Sequence, residues 1–151
     1  MNTFARLCRV DDILLDTNVA SRDQLFDHVG GHLQVRYGLD AQIARTRFGE
    51  RERLGSTGLG QGVAVPHARL AELKEPIVLL VRPVLPFGFD APDDKPVSVF
   101  FFLLVPEKAN REHLQLLADA ASLLCEQRVR DCLRSAASPR DAHDVLMRWS
   151  A

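Results

Sequence analysis

The distribution of hydrophobic and polar positions predicts helices before and after a small group of buried strands. A capping-box pattern begins at Ser21, so we expect a helix over residues 22–37 that ends at Gly38. Asp40 can cap a second helix, which is expected to end near Leu54 because glycines follow. The side chains expected to face inward from these helices are Leu25, Val29, Leu33, Ile43 and Phe48.

The C-terminal third of the chain predicts further helices. Asn110 can cap one that continues to about Leu124, and a short helical segment is expected over residues 127–133. Ser138, followed by a proline, indicates the start of a last helix that ends near Trp149. From the helix after Asn110, the pattern places four side chains inward, namely Leu114, Leu117, Ala121 and Leu124.

Strand-forming residues are concentrated in the middle of the chain. Residues 63–65 form a short apolar run that Pro66 interrupts, and residues 77–81 and 97–105 are nearly continuous runs of strand formers. Runs without alternation are typical of strands that are covered on both faces. We therefore predict the α/β class, with helices on both faces of a sheet and a single domain over residues 1–151.

Five of the eight phenylalanines lie in or next to the connection between the last two predicted strands. Residues 83–96 are rich in Pro, Gly and Asp and predict a long surface connection between two strands. Phe87 and Phe89 lie in this connection, so we expect them to be partly exposed and to line a surface for a partner protein. The phenylalanines at 100–102 lie inside a predicted strand and are expected in the core.

Composition limits the classes of partner and the cellular location. The formal net charge of -1 argues against a general affinity for nucleic acid or anionic lipid. The longest apolar run is far shorter than the roughly 20 residues of a membrane helix, so no membrane insertion is expected. The odd, widely spaced cysteines 8, 125 and 132 indicate neither a disulfide framework nor a metal site, and they favour the cytoplasm.

The chemistry converges on residues 51–69, which read RERLGSTGLGQGVAVPHAR. His67 follows Pro66 at a strand end, where a stiff backbone can project a neutral imidazole into a cleft as a nucleophile. A phosphoryl group in transfer needs positioned donors and a cation, and Arg51 can supply a forked guanidinium. No Lys follows the glycines as in a nucleotide-binding loop. A phosphate cradle, or alternatively a simple turn, is predicted for Ser56, Thr57 and Gly58.

This segment resembles the active-site segment of the enzyme IIA domains of the phosphoenolpyruvate-dependent phosphotransferase system, in the mannitol, fructose and nitrogen-regulatory group. The similarity continues through residues 86–117, and the N-terminal sequence is most similar to the nitrogen-regulatory branch. The resemblance implies a mixed β-sheet sandwiched between helices. It also implies that His67 is phosphorylated and that Arg51 and His113 act beside it. Ala68 departs from the glycine that many relatives have there.

The function implied by the resemblance is a phosphocarrier with no cofactor beyond a phosphoryl group derived from phosphoenolpyruvate. Its donor would be a histidine-containing phosphocarrier protein, and it would regulate proteins such as a sensor kinase or a potassium transport component. Three alternatives stay open. The chain could be a sugar-specific IIA component that serves a fructose- or mannitol-type transporter, an unphosphorylated binding module, or a metal-dependent hydrolase that uses His67 and His113. The remaining histidines, at positions 28, 32 and 143, are expected to be structural.

Overall fold

A computed structural model describes residues 2–108 and 110–150, and a mixed β-sheet forms its centre. The strand order is β1-β5-β6-β3-β2, and β4 also pairs with β6. β6 is parallel to β3 and β4 but antiparallel to β5, so it joins the two directions of the sheet. The strands of the described residues are β1 Ile13–Thr17, β2 Gly58–Gly60, β3 Val63–Ala64, β4 His67–Leu70, β5 Ile77–Pro83 and β6 Val99–Pro106.

Helices cover this sheet, and side-chain caps set the start of most of them. Ser21, Asp40, Asn110 and Ser138 each accept hydrogen bonds from backbone N–H groups of the first turn, as the sequence predicts. Among the described residues, no helix is long and apolar enough to cross a membrane. The helices are α1 Thr3–Leu7, α2 Arg22–Tyr37, α3 Ala41–Leu54, α4 Arg111–Cys125, α5 Gln127–Ser135 and α6 Pro139–Arg148, with a 3-10 turn at Val10–Asp12.

Strand β6 is apolar at every position because it is buried on both faces. Successive side chains of a strand point to opposite faces, so a strand between two helical layers must be apolar on both. One face carries Val99, Phe101 and Leu103, which belong to the core beneath α1, α4, α5 and α6. The other face carries Phe100, Phe102 and Leu104, which belong to the core beneath α2 and α3. The predicted α/β sandwich with helices on both faces is confirmed.

Phe102 is the centre of an aromatic cluster on the α2–α3 side. Its ring centroid lies 5.0 Å from that of Phe48 and 6.1 Å from that of Phe26, both in edge-on geometry.

We expect Phe102→Ala to lower the free energy of unfolding by about 3–5 kcal/mol, because it leaves a cavity. Urea denaturation measures this change. The control Val35→Ala, at a side chain that is 91% exposed, should shift stability by less than about 0.5 kcal/mol; equal effects of the two changes would contradict the packing described.

Two inward-facing side chains were predicted wrongly on otherwise correct helices. Ile43 on α3 is 45% exposed and Leu114 on α4 is 52% exposed. On α3 the buried face includes a charged residue, Glu52, which an apolar pattern cannot identify. On α4 leucines occur on several sides of the helix, so periodicity left its orientation ambiguous. The buried side chains of α4 are Leu116, Ala120, Leu123 and Leu124.

The prediction that Phe87 and Phe89 are exposed is also wrong. Phe87 forms a backbone bridge with Val97 and its ring stacks on Phe100 at a centroid distance of 5.3 Å. Phe89 is 1% exposed, and its ring lies 5.1 Å from that of Phe100. The connection over residues 83–96 folds back on the sheet and buries both rings. These two phenylalanines therefore do not form a docking surface.

Candidate active site

His67, Arg51 and His113 line one open cleft of about 510 Å³. His67 is the first residue of β4, where it pairs with Leu103 of the central strand β6. Pro66 separates β4 from β3, and its carbonyl accepts a hydrogen bond from the Leu103 N–H at 3.0 Å. Pro66 thus interrupts the strand, while its carbonyl remains hydrogen-bonded to β6. The predicted trio comes from α3, β4 and α4, far apart in the sequence.

Hydrogen bonds fix the tautomer of His67. Its Nδ1 lies 2.9 Å from the carbonyl oxygen of Val65, which can only accept, so Nδ1 carries the proton and donates. Nε2 lies 3.1 Å from Nε of Arg51, which can only donate, so Nε2 has its lone pair free of a proton. The imidazole therefore presents Nε2 to the cleft as the nucleophilic atom.

The surroundings of His67 keep the ring neutral. Burial lowers the pKa of His67 below its usual range, and the Arg51 guanidinium lowers this pKa further, whereas the hydrogen bond to Val65 opposes both effects. A protonated imidazole has no lone pair at Nε2 and cannot attack phosphorus. The folded protein therefore holds the reactive form of His67 at a pH where an ordinary histidine becomes partly protonated.

This lowered pKa has a measurable consequence for pH dependence. Because the pKa of folded His67 lies below that of the unfolded chain, the neutral form persists as pH falls through about 6.5. We expect reaction at His67 to decline at a lower pH than the protonation of an ordinary histidine would predict. An NMR titration of the His67 ring should give a midpoint that lies below the usual histidine pKa and coincides with the decline in reaction. A midpoint at or above the usual histidine value would contradict the described surroundings.

Arg51 lies in the last turn of α3, and two hydrogen bonds define its position. Its Nη1 donates to the carbonyl oxygen of Gly55 at 2.7 Å, and its Nε donates to His67. The guanidinium thus covers the lone pair that must attack. An incoming phosphoryl group carries negative charge and competes for the same N–H groups, so it can draw Arg51 from the ring onto its oxygens.

His113 is oriented by a capping box at the start of α4. Its Nδ1 accepts from the backbone N–H of Asn110 at 3.1 Å, and its own N–H donates to Oδ1 of Asn110 at 3.0 Å. With Nδ1 used as an acceptor, the neutral ring carries its proton on Nε2. His113 can therefore offer an N–H donor to an oxygen of a group bound in the cleft.

The structure does not bring Ser56, Thr57 and Gly58 into the cleft. The Ser56 hydroxyl donates to the carbonyl of Phe89 and accepts from the Gly58 N–H, both at 3.0 Å. Thr57 directs its hydroxyl and its N–H to the carboxylate of Glu52. A Cβ at Gly58 would lie 3.0 Å from Cα of Ala91, which explains the glycine by close packing. The donors of this loop hold the loop itself together.

The other histidines make structural contacts or lie outside the cleft. Nε2 of His32 lies 2.8 Å from the buried carboxylate of Asp12, and Nε2 of His143 lies 2.9 Å from the carbonyl of Ala5. His28 is exposed on α2. In residues 2–108 and 110–150, no group of three or more His, Cys, Asp or Glu side chains is placed to hold a metal ion.

The sequence from residue 6 to residue 149 matches the family described as phosphoenolpyruvate-dependent sugar phosphotransferase system, EIIA 2. The chain belongs to this EIIA family. It is 44% identical over 108 residues to a nitrogen regulatory protein of Pseudomonas aeruginosa, with 72% of this chain and 70% of that protein covered. A fructose-specific EIIA component of Haloferax volcanii is 38% identical over 107 residues, with 71% and 70% covered.

The three-dimensional similarity extends over almost the whole chain. The crystal structure of the nitrogen regulatory protein IIA-Ntr from Neisseria meningitidis superposes with a TM-score of 0.90 at 39% identity. The match covers 96% of this chain and 99% of that one. The fold expected from the resemblance is therefore confirmed, and this chain is an IIA component of the phosphotransferase system.

The resemblance leads us to expect a glycine at position 68, where this chain has alanine. Ala68 is buried in β4 and pairs with Leu104, and its backbone does not have the positive φ that would require glycine. The methyl group lies at the wall of the cleft beside His67. It is therefore accommodated without backbone strain.

Several residues around the cleft of this EIIA chain were not identified from the sequence. Leu54 and Leu114 are exposed apolar side chains on its wall, at 85% and 52% exposure. The cleft is also lined by charged residues of both signs, namely Arg47, Arg69, Glu50 and Glu107. Hydrophobic periodicity placed Leu114 in the core, and it does not indicate that α3, β4 and α4 converge at one cleft.

Proposed function

We propose that this EIIA protein accepts a phosphoryl group on Nε2 of His67 from a histidine-containing phosphocarrier protein. The observation that carries the proposal is the pair of hydrogen bonds that leaves Nε2 unprotonated, beside a guanidinium, in an open cleft. Phosphoryl transfer between imidazoles requires an unprotonated nitrogen as the nucleophile. It also requires a cation that stabilises the negative charge of the transferred group. No cofactor is needed beyond the phosphoryl group that originates from phosphoenolpyruvate.

In the proposed step, the lone pair of Nε2 attacks phosphorus in line with the departing imidazole of the donor. The new N–P bond forms as the donor N–P bond breaks, and the electron pair of the broken bond returns to the donor ring. The Nδ1 proton of His67 stays with its acceptor, the carbonyl of Val65. Arg51 and His113 donate hydrogen bonds to the phosphoryl oxygens, where charge is concentrated.

The surface around the cleft suits a protein donor. Leu54 and Leu114 provide exposed apolar area next to the reacting atom, and such area is typical of interaction sites. The cleft is also lined by Arg47, Arg51 and Arg69, which outnumber its acidic residues Glu50 and Glu107 and so favour a partner that carries a phosphate. These side chains replace Phe87 and Phe89 as the proposed docking surface.

We assign the protein to the regulatory branch, in which the phosphorylation state of His67 is reported to other proteins in the cytoplasm. The relative from Pseudomonas aeruginosa and the superposed structure from Neisseria meningitidis are both named as nitrogen regulatory proteins. A sensor kinase or a component of potassium transport is the class of partner proposed. The fructose-specific relative supports a second candidate, transfer from His67 to a sugar transporter.

The phosphocarrier proposal is tested by incubating the protein with phosphoenolpyruvate, the kinase that uses it and the phosphocarrier protein. We expect one phosphate per chain, labile in acid and stable in base as a phosphohistidine is. A protein that takes up no phosphate yet still binds a partner would establish the binding-module alternative instead.

Affinity capture with His67→Ala and His67→Asp baits separates the two branches, since aspartate partly imitates the phosphorylated charge. A regulatory partner should bind one bait in preference to the other. Rapid passage of phosphate from His67 to a sugar transporter component, with no such partner, would support the sugar-specific candidate.

A further inference from the structure

A buried carboxylate lies directly beside the proposed active-site arginine and takes no part in the reaction described above. Glu52 follows Arg51 on α3, but its side chain lies on the buried face of the helix and is only 5% exposed. Its carboxylate accepts the backbone N–H of Thr57 at 3.2 Å and also contacts the Thr57 hydroxyl. Burying a carboxylate is costly unless it is hydrogen-bonded, and both hydrogen bonds of Glu52 come from Thr57.

Thr57 connects this carboxylate to His67. The carbonyl of Thr57 accepts the backbone N–H of Val65 at 3.0 Å. The carbonyl of Val65 in turn accepts the Nδ1 proton of His67 at 2.9 Å. The strand segment that fixes the tautomer of His67 is therefore attached, through one hydrogen bond, to the residue that Glu52 holds.

Glu52 also contacts the turn that orients Arg51. Gly55 lies between Glu52 and Thr57, and its N–H donates to the backbone carbonyl of Glu52 at 3.1 Å. The carbonyl of Gly55 accepts Nη1 of Arg51 at 2.7 Å. Glu52 therefore contacts the turn at Gly55 through its backbone and at Thr57 through its carboxylate, so the carboxylate holds the end of the turn that follows the Gly55 carbonyl.

We infer that Glu52 and Thr57 are a positioning pair that sets the geometry of Arg51 and His67 together. The predicted effect on reaction rests on the proposed function of His67. The predicted effect on the positions of Arg51 and His67 does not. The pair lies outside the cleft and touches neither reacting atom. It also gives Thr57 a role other than the phosphate cradle that the glycine-rich sequence predicts.

The interaction depends on hydrogen-bond geometry more than on charge. Burial raises the pKa of Glu52, while the hydrogen bonds from Thr57 and the charges of Arg22 and Arg51 lower it. In Glu52→Gln the amide oxygen can still accept the Thr57 N–H, and the amide N–H group can donate to the Thr57 hydroxyl. Glutamine should therefore preserve the position of the loop, whereas alanine removes both contacts.

The test compares Glu52→Ala, Thr57→Val and Glu52→Gln in the intact protein. In Glu52→Ala, phosphoryl acceptance should slow by about a hundredfold, the scale for a small misplacement of reacting groups. Thr57→Val loses the hydroxyl contact alone and should slow less, and Glu52→Gln should react at close to the wild-type rate. Nitrogen-15 NMR of the His67 ring should show a mixture of tautomers and a raised pKa in Glu52→Ala only.

The control Leu146→Ala destabilises the opposite core layer, since Leu146 is fully buried beneath the other face of the sheet. It should lower stability while the tautomer and the pKa of His67 remain as in the wild type. Unchanged His67 signals in folded Glu52→Ala would overturn the inference. If wild-type protein takes up no phosphate, the proposed function fails, yet the NMR comparison still decides whether the pair positions His67.

Discussion

Replacing His67 by alanine is expected to abolish phosphoryl acceptance and to leave the fold intact. The imidazole supplies the only lone pair placed for attack in the proposed step, so its loss removes the reaction and not merely its efficiency. The side chain is only half-buried in an open cleft and makes one contact to Arg51 and one to a backbone carbonyl. The thermal unfolding transition should therefore remain cooperative, and phosphate uptake should fall to background.

The matched control is His28→Ala, which removes an exposed imidazole on α2, outside the cleft. This variant should incorporate phosphate at the wild-type rate and stoichiometry. Stoichiometric labelling of His67→Ala would place the acceptor elsewhere and would refute the assignment of His67.

Replacing Arg51 by alanine should slow phosphoryl acceptance by about a thousandfold, the lower end of the effect of an arginine that stabilises a transferring phosphoryl group. The variant also loses the positive charge that lowers the pKa of His67, so this pKa should rise. Single-turnover rates with phosphorylated donor, together with an NMR titration of His67, measure the two effects separately.

Two further variants isolate the role of the guanidinium. Arg51→Lys keeps the charge but not the forked donors, so it should recover only part of the lost rate. Arg53→Ala removes an exposed arginine that does not line the cleft and should react as the wild type does. Equal losses in Arg51→Ala and Arg53→Ala would indicate a general electrostatic effect and not a positioned contact.

The helices were predictable because their signals are local. Ser21, Asp40, Asn110 and Ser138 cap their helices by bonds to residues two or three positions ahead, so the sequence alone contains both partners. The two longest strands, β5 and β6, were predictable for a different reason. They are buried on both faces, which requires continuous apolar sequence.

Elements that depend on distant partners were not predicted. Strand β1 over Ile13–Thr17 exists through parallel pairing with β5, and the helix α1 is only five residues long. Asn2 caps α1 and also donates to the carbonyls of Leu146 and Trp149 near the other end of the chain. Such contacts have no signature within a short sequence window.

The candidate site likewise has a part that the sequence predicted and a part that depends on distant contacts. The residues of the segment themselves predicted His67 and Arg51, the resemblance added His113, and the structure places these three side chains in one cleft. The role of the glycine-rich loop could not be read from its composition, because its donors are used by partners such as Glu52 and Phe89. Glu52 is a charged residue on the buried face of α3, so hydrophobic patterning does not identify it. Its contacts with Thr57 are visible only in the structure.

The most direct test of the account is the identification of the phosphorylated atom. Protein labelled with nitrogen-15 in histidine is phosphorylated through the donor and examined by phosphorus and nitrogen NMR. The account predicts a single phosphohistidine, at His67, with phosphorus bonded to Nε2 while Nδ1 retains its proton. Phosphorus bonded to Nδ1, or to any other residue, would contradict it.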